Sequence, residues 1–435
     1  MEGMVKLIGE SPGPNSTDLA DPAVLSGHDI VCLAHEPWHG PWKTYQQIMS
    51  LLAETNRVLY VGPPASLRDA ARGLFSRRRR PILERVSGSL LVYHEPRLLA
   101  QSNVYRPAAR QLNWVTGRLR LEHVRWMARR RGFVTPILWV FDPMMAHAVG
   151  TFGEKLLIYH VLDNYAEFTD PNAKVLRAAV SNSEDRLLQQ ADIVVAVSQR
   201  LHQWCLQRNP NSFLVPNGVN YEQFQARVAD KRGIPPDMVS IPRPVIGHVG
   251  VIQSDLDLSL LWQISFEHPE WSLVFVGPRE PGSVWPEFDA LFSRPNVHYL
   301  GSKRVEDLPA YIGGCDVCIM PYHPEKPTVP DSDSIKLYEY LACGRPIVSA
   351  DIPSARRFAP LVRIASDPVD FVRYVEDSLK EDPHLSELRT AVAGEHSWRR
   401  RVSTLSQLIV SHMAFEHSSR QRGDGIGRVA EGARP

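Results

Sequence analysis

Residues 331–351 read DSDSIKLYEYLACGRPIVSAD: a polar loop, a short helix, a stop and a buried strand. Ser332, Asp333 and Ser334 are all good N-cap residues, so a helix is expected to start among them. Leu337, Tyr340 and Leu341 recur at helical spacing and would pack inward, while Lys336 and Glu339 lie off that face. Gly344 suits the left-handed residue just past a helix end, and Pro346-Ile347-Val348 then enters a sheet. A helix N-terminus gathers free N–H groups and partial positive charge, which attract phosphate. Ser334 sits at that terminus. A carboxylate one or two turns further in can accept hydrogen bonds from ribose or sugar hydroxyls. The combination implies a nucleotide-sugar site.

Outward from this stretch the chain alternates strands and helices. Asp29–Ala34 reads as a buried strand, followed by the loop His35-Glu36-Pro37-Trp38-His39-Gly40-Pro41-Trp42, a helix over 43–54 and a strand over Arg57–Val61. That is a parallel βαβ unit, and ligands gather where such strands end. Gly40 would let a ligand approach the backbone closely. The loop is not a G-x-G-x-x-G, so no dinucleotide fingerprint is present. Further strands are expected at 90–94, 136–141, 155–162 and 192–198. A second series begins after the proline-rich segment 234–244, with strands near 245–250, 271–276, 296–303 and 316–321. Fold class is therefore α/β, as two Rossmann-like domains.

Composition narrows the function. With 435 residues the chain has room for two or three domains. Formal net charge is +1, so nothing draws the whole chain to nucleic acid. No apolar run reaches the ~18 residues needed to cross a bilayer, and the N-terminus shows no secretion signal. Five cysteines, an odd count, suit reduced thiols in a cytoplasmic setting. Cys315 and Cys318 form a lone C-x-x-C with no second pair, so no metal is expected there. Asp331-Ser332-Asp333 spells a D-x-D, but it precedes a helix rather than following a strand. Residues 67–85, with Arg77–Arg80, combine basic and apolar groups and are a candidate peripheral membrane contact at the inner face.

The stretch at 331–351 resembles the nucleotide-sugar motif of retaining GT-B glycosyltransferases of family four. Their pattern is two glutamates separated by seven residues, the second heading an "EAMACGxPVVAS"-like segment. Glu339 takes the second position here, followed by Ala342-Cys343-Gly344-Arg345-Pro346-Ile347-Val348, and Asp331 takes the first. The resemblance implies that Glu339 holds the ribose hydroxyls and that Asp331 approaches the donor sugar. Asp331 equally suits a helix cap, and Glu339 a pair with Lys336 worth ~0.2–0.5 kcal/mol. His160-Val161-Leu162-Asp163 is similar to the family's strand-end histidine element. By that likeness His160 lines the cleft beside the donor sugar, with Asp163 able to orient it. Val215-Pro216-Asn217-Gly218-Val219 is similar to the family's domain-crossover segment. Gly250 closes the first strand of the second domain, and Gly301 and Ser302 stand where the family reads the nucleobase with backbone groups. One departure is clear. Most members follow that first strand with an arginine and a lysine on the diphosphate. This chain has Val251-Ile252-Gln253-Ser254-Asp255-Leu256-Asp257, leaving Lys336 and Arg304 as the nearest substitutes.

The resemblance implies two Rossmann-like domains facing across a cleft, with a C-terminal helix crossing back to the first. The expected division is a loose lead-in at 1–27, an acceptor domain at 28–215 and a nucleotide-sugar domain at 216–395. A returning helix at 396–417 and a disordered tail at 418–435 follow. The implied activity is a metal-independent, retaining, hexosyl-type transfer from a nucleotide sugar to a glycan or lipid-linked acceptor. It would serve polysaccharide or glycoconjugate synthesis, with no cofactor beyond the nucleotide-sugar substrate. A nucleotide-sugar epimerase and a non-catalytic partner of the same fold are the competing classes. The missing arginine–lysine clamp and the aspartate at 331 motivate the latter.

Overall fold

The computed structural model describes residues 24–40, 42–64, 81–100, 107–168, 174–228, 233–280, 286–326 and 328–429. Most of the basic segment 67–85 and of the lead-in 1–27 lies outside these residues.

The first sheet holds β1 (Asp29–Leu33), β2 (Arg57–Val61), β3 (Leu83–Arg85), β4 (Leu90–Tyr93), β5 (Ile137–Val140), β6 (Leu156–Val161), β7 (Ile193–Ala196) and β8 (Ser212–Leu214). Their order is β3-β4-β2-β1-β5-β6-β7-β8, parallel throughout except for the β3–β4 edge pair. The strands are runs of aliphatic residues because helices cover both faces of a parallel sheet; Ile30–Leu33 and Ile137–Val140 are wholly buried. The second sheet holds β9 (Val245–Val249), β10 (Ser272–Val276), β11 (Val297–Gly301), β12 (Val317–Met320), β13 (Ile347–Ala350) and β14 (Arg363–Ala365). Its order, β11-β10-β9-β12-β13-β14, is the doubly wound pattern in which strand order reverses between β9 and β12. In the first sheet the reversal falls between β1 and β5. Ligands settle outside the carboxyl ends of strands at such reversals.

Each sheet has its own apolar core. The last helix, Trp398–Val429, joins the first of them: Trp398, Leu405 and Ile409 are buried in it, and Arg399 holds Glu54 through two bonds of 2.9 and 3.1 Å. The two chain crossings run side by side, Val219 N–H donating to His396 O (3.1 Å) and Trp398 N–H to Val219 O (2.9 Å). The helix does not stop at 417, and the tail expected to be disordered is helical through Val429. Glycines cost about 1 kcal/mol each in a helix interior, but they do not end a helix already nucleated by its docked first turns. Residues 430–435 lie outside the described ones.

Candidate active site

On the second domain the site is built from the end of β9 and the helix Ile335–Ala342. Tyr340 locks the two together, its hydroxyl donating to Val249 O (3.1 Å) and accepting from Val249 N–H (2.8 Å). Leu337, Tyr340 and Leu341 are buried, as their spacing predicted, and Tyr338 is buried as well. Lys336 and Glu339 are left on the other side. Gly250 follows β9 at φ +155, and a β-carbon there would fall 1.7 Å from Lys336 Cε. The lysine stem therefore lies flat across the strand end, which only glycine permits. Lys336 Nζ donates to the Tyr322 hydroxyl (2.7 Å) and sits 5.4 Å from that ring's centroid. Ser334 is the N-cap, but its side chain makes no cap bond.

Glu339 is half-buried, and among the described residues nothing hydrogen-bonds its carboxylate. Burial pushes this carboxyl up to about 7, and Lys336 only partly opposes the shift. Partly desolvated acceptors without donors cost free energy. A ligand hydroxyl would relieve that cost.

On the first domain, His35 follows β1 and Asp142 follows β5, the two strands that flank the reversal. His35 Nδ1 lies 3.8 Å from Asp142 Oδ2. Asp142 raises the His35 pKa above its ordinary value, against the opposing effect of burial. The His35 ring also packs against Tyr165, with centroids 5.3 Å apart. Nearby, Lys43 Nζ meets Glu36 Oε1 at 2.7 Å. Asp163, just past β6, is pushed up to about 7 by burial; Lys43 and His35 pull it down, while Asp331 and Asp255 of the second domain push it up. Groups from both domains thus act on one carboxyl, and the adjacent Asn164 reaches Asp331 of the second domain at 3.1 Å, so Asp163 stands near the domain boundary.

Several expected residues stand elsewhere. His160 does not face the cleft. It is wholly buried on β6, stacked against Phe141 (4.9 Å) and Trp139 (6.1 Å), and among the described residues neither ring nitrogen has a hydrogen-bond partner. Burial lowers its pKa to about 3, so the ring is neutral. Asp163, read as its orienting partner, stands just past β6 next to Asn164, which bonds Asp331 of the second domain. Asp331 is buried, but at the domain boundary: Arg200 Nε (3.0 Å) and Asn164 Nδ2 (3.1 Å), both from the first domain, hold its two oxygens. Gly301, at φ +70, gives its carbonyl to Gly277 N–H (2.9 Å), and Ser302 is exposed. A β-carbon at Gly40 would meet Pro37 only at ordinary contact distance, 3.4 Å or more. Arg304 is exposed and paired with Glu306 at 3.1 Å.

Beside the loop after β1, His39, Glu84 and His94 each offer one ligand atom within 4.8 Å, the described group able to hold a metal ion. As they stand, both imidazole Nε2 atoms bond Glu84 Oε2, at 2.8 and 2.6 Å, and hold that carboxyl below its usual range.

Comparison with known proteins agrees with this architecture. The family described as "Glycosyl transferases group 1" matches residues 244–381, the part that carries β9, Lys336 and Glu339. A protein of Bacillus subtilis (strain 168) that bears the name "Putative teichuronic acid biosynthesis glycosyltransferase TuaH" is 28% identical over 277 residues, covering 60% of this chain and 68% of its own. The α,α-trehalose 6-phosphate synthase of Burkholderia multivorans superposes with a TM-score of 0.64 at 13% identity, over 90% of this chain and 100% of its own. Anabaena Alr3699/HepE, solved with UDP-glucose, superposes with a TM-score of 0.59 at 14% identity, over 88% and 99%. The family match on the domain that bears the Lys336–Glu339 crevice and the two-domain fold shared across nearly the whole length together support a glycosyltransferase of the GT-B fold.

Proposed function

We propose that this glycosyltransferase moves a hexosyl unit from a nucleotide sugar to a glycan or lipid-linked acceptor, with retention of anomeric configuration and without a metal ion. The observation that carries the reading is the crevice at the end of β9. There an ammonium lies across a glycine and a carboxyl without donors waits one turn further along the same helix. In this reading the diphosphate rests against the N-terminal turn of Ile335–Ala342 and Lys336 Nζ, and ribose hydroxyls donate to Glu339. As the sugar–phosphate bond breaks, charge grows on the diphosphate. Preorganised dipoles and an ammonium stabilise that charge without reorganising, which is the role a metal fills elsewhere. The UDP-glucose complex of HepE supports a nucleotide sugar as donor, and TuaH's name, with its teichuronic acid biosynthesis, supports a role in polysaccharide synthesis. In this reading His35 and Asp142, which follow β1 and β5 on the first domain, meet the acceptor hydroxyl.

The test is a panel of nucleotide sugars assayed for nucleoside diphosphate release, with and without lipid-linked and soluble acceptors. The expected result is turnover of one donor class by the wild type and its loss in Glu339→Gln. Equal turnover in both proteins would take Glu339 out of the site, and no turnover with any donor would favour the non-catalytic partner.

A further inference from the structure

We infer that the outer face of the helix Pro107–Arg130 docks the first domain onto an anionic bilayer surface. Its inner face is ordinary: Leu121, Val124 and Ala128 are buried in the first core. The outer face is not. Val115, Leu119 and Trp126 are 45, 54 and 47% exposed and lie four and seven residues apart, on one side of the helix. A soluble helix normally turns polar groups to water there. The neighbouring 3-10 turn Arg97–Leu99 adds Leu98, 93% exposed. The edge hairpin of β3 and β4 adds Ile82 and Val86, both 42% exposed. The helix is fixed to that hairpin by Tyr93, whose hydroxyl meets His123 Nδ1 at 2.8 Å, and the His123 ring stacks on Trp126. Exposed apolar groups gathered on one edge mark an interaction surface.

Charge selects the occupant. Apart from the buried Arg120, which is paired with Glu95, residues 115–131 carry Arg118, Arg125, Arg129, Arg130 and Arg131 against a single acid, Glu122. The chain as a whole is near neutral, with a formal net charge of +1, so this excess is local. Arg130 lies over the Trp126 ring, 4.3 Å from its centroid. An apolar stem with a charged head over an indole is the arrangement that sits at a lipid headgroup boundary. Protein–protein contacts instead gather apolar groups at a centre depleted of charge. Here arginines alternate with apolar residues, which matches anionic headgroups. Docking would bring a lipid-linked acceptor to the cleft. That purpose rests on the proposed acceptor; the binding itself does not.

The experiment is co-flotation of the full chain, without donor, with vesicles of equal parts phosphatidylglycerol and phosphatidylcholine or of phosphatidylcholine alone. The expected result is binding to the anionic vesicles only. R129Q/R130Q should weaken it on the order of 25-fold, from about 1 kcal/mol per cation and tenfold per 1.4 kcal/mol. Trp126→Ser should weaken it several-fold at high salt, where charge is screened. Val175→Ser, an exposed apolar position on another helix, serves as the control and should bind like wild type. No vesicle binding, equal binding to both vesicle types, or wild-type binding by the arginine pair would overturn the proposal. So would polyphosphate binding as tight as the vesicles and indifferent to Trp126→Ser, which would make the face a polyanion site. Failure here leaves donor turnover untouched, so it is distinguishable from failure of the proposed reaction.

Discussion

Asn217 and Asp333 are joined twice. The Asn217 backbone N–H donates to Asp333 Oδ2 and the Asn217 side-chain amide donates to Asp333 O, each at 2.7 Å. Asn217 also accepts from the Thr44 hydroxyl through Oδ1 (2.7 Å) and from Arg401 Nε through its carbonyl (3.0 Å). One crossover residue thus ties together the first domain's opening helix, the loop that leads into Lys336 and Glu339, and the returning helix. Asp333 is itself held by the Tyr338 hydroxyl and by Arg357. The hinge and the donor-side loop are therefore bonded to each other.

Asn217→Ala should show this. It strips partners from the buried Thr44 hydroxyl and Asp333 carbonyl. At roughly 1–3 kcal/mol for each unmatched buried group, the loss is expected to be about 2–6 kcal/mol, read as a lower denaturant midpoint. Asn217→Asp should cost at least as much, because a carboxylate oxygen would then face the Asp333 carbonyl. An unchanged midpoint in both would mean that the hinge is held elsewhere.

Gly250→Ala tests the crevice. The new methyl would occupy the Lys336 stem, and φ +155 is a region that L residues enter at a cost of about 1–3 kcal/mol. Calorimetry should find nucleotide affinity down at least tenfold. Gly301→Ala makes the contrast: its β-carbon would meet open space, so it should lower stability through strain while changing affinity far less. Equal losses of affinity in the two variants would mean that strain, not Lys336, explains the first.

Much of this site was legible from local signals. The helix start after Ser334, its buried face, the Gly344 stop at φ +66 and the strand behind it depend only on neighbours in sequence. The two α/β series and the crossover at Asn217 were legible for the same reason. Strand order was not. His35 and Asp142 meet only because β1 lies beside β5, and pairing between distant strands leaves no mark on either segment. His160 was misplaced for a related reason. Side chains alternate across a strand, and which face of β6 lies under the aromatic layer depends on Trp139 and Phe141 from another strand. Asp331 looked like a donor contact because its two first-domain partners, Arg200 and Asn164, are far away in sequence.

Glu339 gives the site a pH dependence with a definite sign. Its folded pKa, about 7, lies above the ordinary carboxyl value of 4.5, so the folded state holds a proton that the unfolded chain releases earlier. Stability attached to this group is present below about pH 4.5 and is lost as pH rises toward 7. Glu339→Gln should flatten that part of the stability curve. Hydroxyl donors favour the ionised form, so binding a nucleotide sugar should lower the pKa and release a proton. Affinity should then rise between pH 6 and 7.5, and binding enthalpy measured near pH 6.5 should vary with the ionisation heat of the buffer. Both effects should vanish in Glu339→Gln. A buffer-independent enthalpy in the wild type would mean that no ribose hydroxyl reaches Glu339.

His35 and Asp142 should separate the two substrates. They follow strands of the first domain, whereas the proposed donor crevice lies on the second, so their loss should spare donor binding. Asp142 holds the His35 pKa above its ordinary 6.5; without that carboxylate the imidazole would lose its proton at lower pH. Positioned proton-handling groups contribute typically 10²–10⁴-fold. His35→Gln is therefore expected to lower kcat/KM for transfer to acceptor by about 10²-fold, with the nucleotide-sugar Kd within twofold of wild type. Asp142→Asn should retain part of the activity but move the acidic limb of the pH–rate profile toward lower pH. Parallel losses of donor affinity and transfer in both variants would instead place the pair at the donor. An unshifted profile in Asp142→Asn would show that His35 does not carry the titrating proton.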